Sequence, residues 1–177
     1  MKKLLSNFPV FIFLIGMLVG CAPNNKVAEA DIAAIKKHYD QYLFAVNTND
    51  LHLFMSLWAE DATRMAPGSP VVVGKETIRK QMNGFFDQYD LKMEYIGETE
   101  VEVSGDQAFA YGVVTFWYTP KEGGPTTQTD VKWLDALKRK PDGSWKIFVD
   151  CTNWHPSLGS EVNPAELLED QKQSSPY

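Results

Sequence analysis

The alternation of apolar and polar positions divides the chain into a helical first half and a stranded second half. From about Ala28 to Asn47, Ile32, Ile35, Tyr39, Tyr42, Leu43 and Val46 recur at helical spacing, while Lys36, Lys37, Asp40 and Gln41 lie off that stripe. Asn47-Thr48-Asn49 breaks this pattern. Asp50 is placed to cap a short second helix carrying Leu51, Phe54, Met55 and Trp58. Pro67-Gly68-Ser69-Pro70 reads as a loop, and a third helix is expected from Gly74 to about Gln88, with Ile78, Met82, Phe85 and Phe86 inward. The period then changes to two. Leu91, Met93, Tyr95, Thr99, Val101 and Val103 alternate with lysine and glutamates, as on an antiparallel strand with one wet face. Gly105-Asp106 turns the chain into Gln107 to Thr119. A Gly123-Gly124-Pro125 loop leads to Thr127 to Lys140, and Asp142-Gly143 leads to Trp145 to Trp154. Three helices followed by an antiparallel meander predict an α+β domain, with the helices on the concave side of a curved sheet around a cone-shaped cavity.

The ends of the chain read differently. Lys2 and Lys3 precede a mostly apolar run from Phe8 to Val19, too short for a spanning helix of about 20 residues. It ends in Leu18-Val19-Gly20-Cys21, which resembles the lipobox of bacterial lipoprotein signal peptides, whose cysteine is acylated. An ordinary signal peptide with an incidental cysteine is the alternative. The expected division is residues 1–20 as signal peptide, 21–30 as tether, 31–155 as the domain and 156–177 as a polar tail with one short helix opened by Asn163-Pro164. Lipid on Cys21 would hold the protein to a membrane of the cell envelope, facing out of the cytoplasm. It would also leave Cys151 without an intramolecular partner.

Composition narrows the function. The 177 residues are 44% hydrophobic and 12% aromatic, which suits one globular domain. The formal charge is −6, or about −8 once Lys2 and Lys3 leave with the leader. With no Lys/Arg run, a nucleic-acid partner is excluded. His38, His52 and His155 have no metal-ligand spacing, so neither a metal nor another cofactor is expected.

One residue stands out on physical grounds. Asp135 shares strand parity with Val131, Trp133 and Leu137, which puts a carboxylate on an apolar face. Such a group must be protonated, paired or hydrogen-bonded. Arg64 shares parity with Ala66; it either faces solvent or points inward, where it could form an internal ion pair with Asp135 or hold a substrate carboxylate. Cys151 shares parity with Trp145, Ile147 and Val149 and is expected on the cavity side as a buried structural thiol. Asp150, on the opposite parity, is expected at the surface or a dimer face. Phe116, Trp133 and the other aromatic side chains suit an apolar or aromatic ligand.

The stretches Tyr42 to Asp50, Trp58-Ala59-Glu60-Asp61-Ala62-Thr63, Val73-Gly74-Lys75-Glu76-Thr77-Ile78 and Lys140-Pro141-Asp142-Gly143-Ser144-Trp145-Lys146-Ile147 together resemble the NTF2-like superfamily. The similar branches are SnoaL-like and ketosteroid-isomerase-like proteins, including the uncharacterised DUF4440 group, over roughly Asp31 to Trp154. The resemblance implies a homodimer through the outer sheet face. It also implies that Tyr42 and Asp135 occupy the two oxyanion-hole positions of ketosteroid isomerases, enzymes in which an apolar site keeps a carboxylic acid neutral. The aspartate base of those enzymes is replaced by Ala66 before Pro67. The Asp and Arg pair also resembles limonene-epoxide-hydrolase-type relatives, which need a second acid. Glu60, Asp61 and His38 are the residues to inspect for a second acid or base beside Asp135. Two functions follow: a pocket that binds a small apolar or aromatic molecule, or an isomerase, cyclase or hydrolase using Tyr42 and Asp135 on an oxyanion.

Overall fold

A computed structural model describes residues 25–155. The signal segment, Cys21 and the tail from residue 156 lie outside the described residues. Helix α1 (Asn25–Asn47) starts three residues before the expected Ala28, inside the segment read as a tether, and buries Ile35, Tyr39 and Val46. Its C-terminal end is stitched to the sheet, since the Asn47 side chain accepts from Met93 N and donates to Met93 O. Helix α2 (Leu51–Ser56) is capped as expected, the Asp50 carboxylate accepting from Leu53 N at 2.8 Å.

Trp58 is not on α2. Ile147 N donates to Leu57 O, which draws the chain into the sheet, and Trp58 opens strand β1 (Trp58–Met65) instead. Strand β2 (Val72–Val73) follows. Helix α3 (Lys75–Gln88) starts from Gly74, whose φ of 89° favours glycine, and buries Ile78, Met82 and Phe86.

Strands β3 (Tyr89–Ser104), β4 (Gln107–Pro120), β5 (Thr127–Arg139) and β6 (Trp145–His155) form the expected antiparallel meander. The whole sheet, however, is mixed. Its order is β2-β1-β6-β5-β4-β3, and β1 runs parallel to β6.

Three register shifts curve this sheet, one of them in β1 between Trp58 and Thr63 where it pairs with β6. In β3, Ile96 and Glu100 pair with Val113 and Tyr111, so two extra residues are accommodated around Gly97 at φ 79°. An insertion of two preserves parity, and Val101 and Val103 beyond it pack on the same core face as Leu91, Met93 and Tyr95 before it. In β6, Ile147 pairs with Leu137 and Val149 with Ala136, leaving Phe148 as one extra residue. A single extra residue inverts every side chain beyond it. Trp145 and Ile147 face inward before the bulge; Asp150, Thr152 and Trp154 face inward after it.

The narrow end of the cone is closed by apolar packing of Ile35, Trp58, Leu137 and Ile147, each fully buried, and by an Arg139–Asp31 bidentate pair tying β5 to α1. Burying such apolar side chains stabilises the fold by roughly 1.5–3 kcal/mol each. The wide end is open.

Candidate functional site

The helices and the sheet enclose a cavity of about 620 Å³. Val46, Phe54, Met82, Phe85, Leu91, Met93, Val114 and Phe116 supply apolar walls. Trp133 lies against Tyr39, with ring centroids 4.8 Å apart, and Phe116 stacks on Tyr118 at 5.7 Å. The sequence-expected residues Tyr42, Arg64, Phe116, Trp133 and Asp135 all line this one cavity, as does Ala66.

Asp135 is 2% exposed. Its Oδ2 accepts from the hydroxyl of Tyr39 at 2.8 Å, and its Oδ1 is buried with no hydrogen-bond partner among the described residues. The oxyanion-hole analogy placed Tyr42 beside this acid as its companion. Tyr39, one turn earlier on the same face of α1, is the tyrosine bonded to it. The Tyr42 hydroxyl has no hydrogen-bond partner among the described residues and remains available to the cavity.

The inversion at Phe148 overturns two sequence readings. Asp150, expected outside, is 4% exposed and lines the cavity directly across the β5–β6 ladder from Asp135. Cys151, expected inside, lies on the outer sheet face beside Leu134 and is exposed. The backbone register also pairs Arg64 with Asp150 across β1–β6. Three adjacent strands thus present a row of Arg64, Asp150 and Asp135. Side chains opposite one another across an antiparallel pair have Cβ atoms about 5 Å apart, so the two acids sense each other directly.

Burial raises the carboxyl of Asp135 well above its ordinary value, and the charge of Asp150 raises it further, against the lowering effects of the Tyr39 hydrogen bond and Arg64. Burial also lifts Asp150, to about 6, with Arg64 opposing. The phenols of Tyr39 and Tyr42 are pushed upward, first by burial and then by the neighbouring carboxylates, so both stay protonated donors.

Arg64 does not pair with Asp135. Its Nη1 donates to Gln81 Oε1 on α3 at 2.9 Å. Glu60 and Asp61 are not second acids either, since they face solvent and pair with Lys75 and Lys138. His38 is buried outside the cavity lining, and desolvation lowers it to about 4. Asp150 is the second acid, and only the one-residue bulge hid it. No group of three His, Cys, Asp or Glu side chains that could hold a metal ion occurs among the described residues.

Residues 28–149 match the model of the SnoaL-like domain, and the chain belongs to that family. Its fold is that of NTF2-like proteins. An NTF2-like superfamily protein from Salmonella enterica superimposes with a TM-score of 0.68 at 16% identity, over 76% of this chain and 98% of that one. A ketosteroid isomerase-like protein from Erwinia carotovora atroseptica gives 0.61 at 28% identity, over 69% and 94%. A candidate scytalone dehydratase from Novosphingobium aromaticivorans gives 0.65 at 17% identity, over 72% and 85%. No curated protein matches the sequence.

Proposed function

We propose that the cavity is the active site of an acid–base enzyme of isomerase or dehydratase type, acting on a small, mostly apolar oxygenated molecule. The observation that carries this reading is the second buried acid, Asp150, facing Asp135 across the ladder. Two carboxyls whose environments separate their affinities for a proton divide into an acid and a base. Arg64 stands next to Asp150 in the ladder and favours its ionised form, so Asp135, one strand further from that charge and facing the charge of Asp150, is the member that holds the proton. Asp150 loses its proton above about 6 and is the base.

In such a reaction Asp150 takes a proton from the substrate, and Asp135 gives its proton to the oxygen on which charge develops. The Tyr39 hydroxyl supports the carboxylate that Asp135 then becomes, and Tyr42 offers a second donor to the same oxygen. Asp150 replaces, from another strand, the base missing at Ala66. A pocket that only bound an apolar molecule has no use for a second desolvated acid, which lowers stability. That weighs for the enzyme over the binding reading.

The test is turnover on a panel of enones, β-hydroxy carbonyl compounds and lactones, with Asp135→Asn and Asp150→Asn alongside. Activity should rise with pH as Asp150 ionises, and each variant should lose roughly 10²-fold or more. A wild type inert across the panel, or variants that keep turnover, would defeat the reading.

We propose further that the domain is held in the cell envelope by lipid on Cys21, and that it pairs as a homodimer through the outer sheet face. Phe109 (49% exposed), Leu134 (46%), Tyr111 and Ile96 form an apolar strip there, which supports the dimer. No helix among the described residues is long and apolar enough to cross a membrane. Cys21→Ser should release the protein from membranes; unchanged retention and mass would defeat the anchor.

A further inference from the structure

The acid–base reading leaves one charged cavity residue without a task. Arg64 has five N–H donors and no acceptor capacity. Among the described residues its guanidinium makes a single hydrogen bond, to the neutral amide of Gln81, and no ion pair. Asp150 is its neighbour in the ladder, yet Arg64 reaches away from it toward α3. Because Arg64 can only donate, the amide of Gln81 must turn its oxygen to the guanidinium, which frees its NH₂ group as a further donor. Both residues line the cavity, whose adjoining walls are the aromatic rings of Phe85 and Tyr118. A half-buried guanidinium against apolar walls, with most of its donors unspent, has the hydrogen-bonding capacity to take a planar anion.

We propose that the substrate of the acid pair is a small carboxylic acid with an apolar or aromatic body, its carboxylate held by Arg64 and Gln81. This inference rests on the acid–base reading of the site. Two strand spacings, about 10 Å, separate the backbones of Arg64 and Asp135. That leaves room for one ring or a short chain between the carboxylate handle and the oxygen atom that Asp135 protonates. The handle also explains why the base lies between the two. Asp150, on the middle strand, meets the part of the substrate that the handle and the acid fix at either end. With the guanidinium neutralised by the bound carboxylate, Asp150 loses the opposing charge that favours its ionised form, and it becomes the stronger base when substrate is in place.

The experiment measures binding rather than turnover, so that it succeeds or fails independently of the catalytic claim. Matched pairs of acid and primary amide are titrated calorimetrically against the wild type and Asp135→Asn: cinnamate with cinnamamide, 3-phenylpropanoate with 3-phenylpropanamide, and 1-naphthylacetate with 1-naphthylacetamide. Trp133 and Trp154 line the cavity and provide a fluorescence readout of the same binding. The acid of at least one pair should bind about tenfold or more tightly than its amide, in both proteins, with the preference shrinking as salt rises. Arg64→Gln, checked for folding by its thermal midpoint, should bring acid and amide to equal affinity. Gln81→Leu should reduce the preference while keeping part of it, since Arg64 remains. Equal affinity of acid and amide throughout, no binding of any acid at millimolar concentration, or a preference that survives in Arg64→Gln would each overturn the proposal. A preference for the acid with no turnover by the wild type would uphold the handle while defeating the acid–base reading.

Discussion

Replacing Asp150 with asparagine should raise stability relative to wild type progressively as the pH goes from acid to neutral. Burial holds the folded-state carboxyl at about 6, against an unfolded value of 3.8. Between those limits the folded chain binds a proton that the unfolded chain has released, so stability falls as pH rises through the window and then levels off. A window about two pH units wide corresponds to roughly 3 kcal/mol, fully lost above pH 6. Asparagine has the same shape without the titration, and it removes a charge that opposes ionisation of Asp135. Any cost of seating the amide is independent of pH, so the informative quantity is the difference between variant and wild type as pH changes. That difference should grow by roughly 3 kcal/mol from about pH 4 to about pH 7, or roughly 10 °C in thermal midpoint for a domain of this size. Calorimetry or urea unfolding at half-unit intervals of pH measures it. A difference that stays flat from pH 4 to pH 8, or one that changes in the opposite direction, would refute the burial of this acid in its charged form. Turnover should disappear in the same variant that gains stability.

Tyr39→Phe removes the hydroxyl that donates to Asp135 and leaves Oδ2 as unsatisfied as Oδ1; a loss of about 1–3 kcal/mol in urea unfolding is expected, whereas Tyr42→Phe should cost less. Burial lowers His38 from 6.5 to about 4, so its contribution is complete above pH 6.5 and is lost as pH falls toward 4. His38→Leu should therefore lose less stability than wild type over that interval, and an unchanged acid limb would contradict the buried, neutral imidazole. On the outer face, Leu134→Asp should convert a dimer to a monomer in size-exclusion chromatography with light scattering, while a variant that elutes like wild type would place the interface elsewhere.

How much of this was legible in the sequence depended on where the strands are regular. Strand β5 has no insertion before Ala136, so counting by twos put Val131, Trp133 and Asp135 on the inner face, and the structure agrees. In β6 the same count fails at Phe148, because nothing local in Ile147-Phe148-Val149 marks a bulge; the curvature that demands it belongs to the whole sheet. That one residue exchanged Asp150 for Cys151. On α1, Tyr39 and Tyr42 share a stripe, and helical periodicity cannot select which hydroxyl reaches a strand 96 residues away. Trp58 satisfied the helical pattern as well as the stranded one, and a backbone bond from Ile147 decided the matter. The α+β layering, by contrast, followed from the change of period near residue 90, which no tertiary contact reversed.

The division of labour between the two acids is open to direct observation by carbon-13 NMR of selectively labelled aspartate carboxyls, titrated from pH 4 to pH 8. Assigned through Asp135→Asn and Asp150→Asn, the signal of residue 150 should titrate near 6. That of residue 135 should still be protonated at pH 7. Two carboxylates already ionised at pH 5 would contradict the account, for neither could then act as the acid.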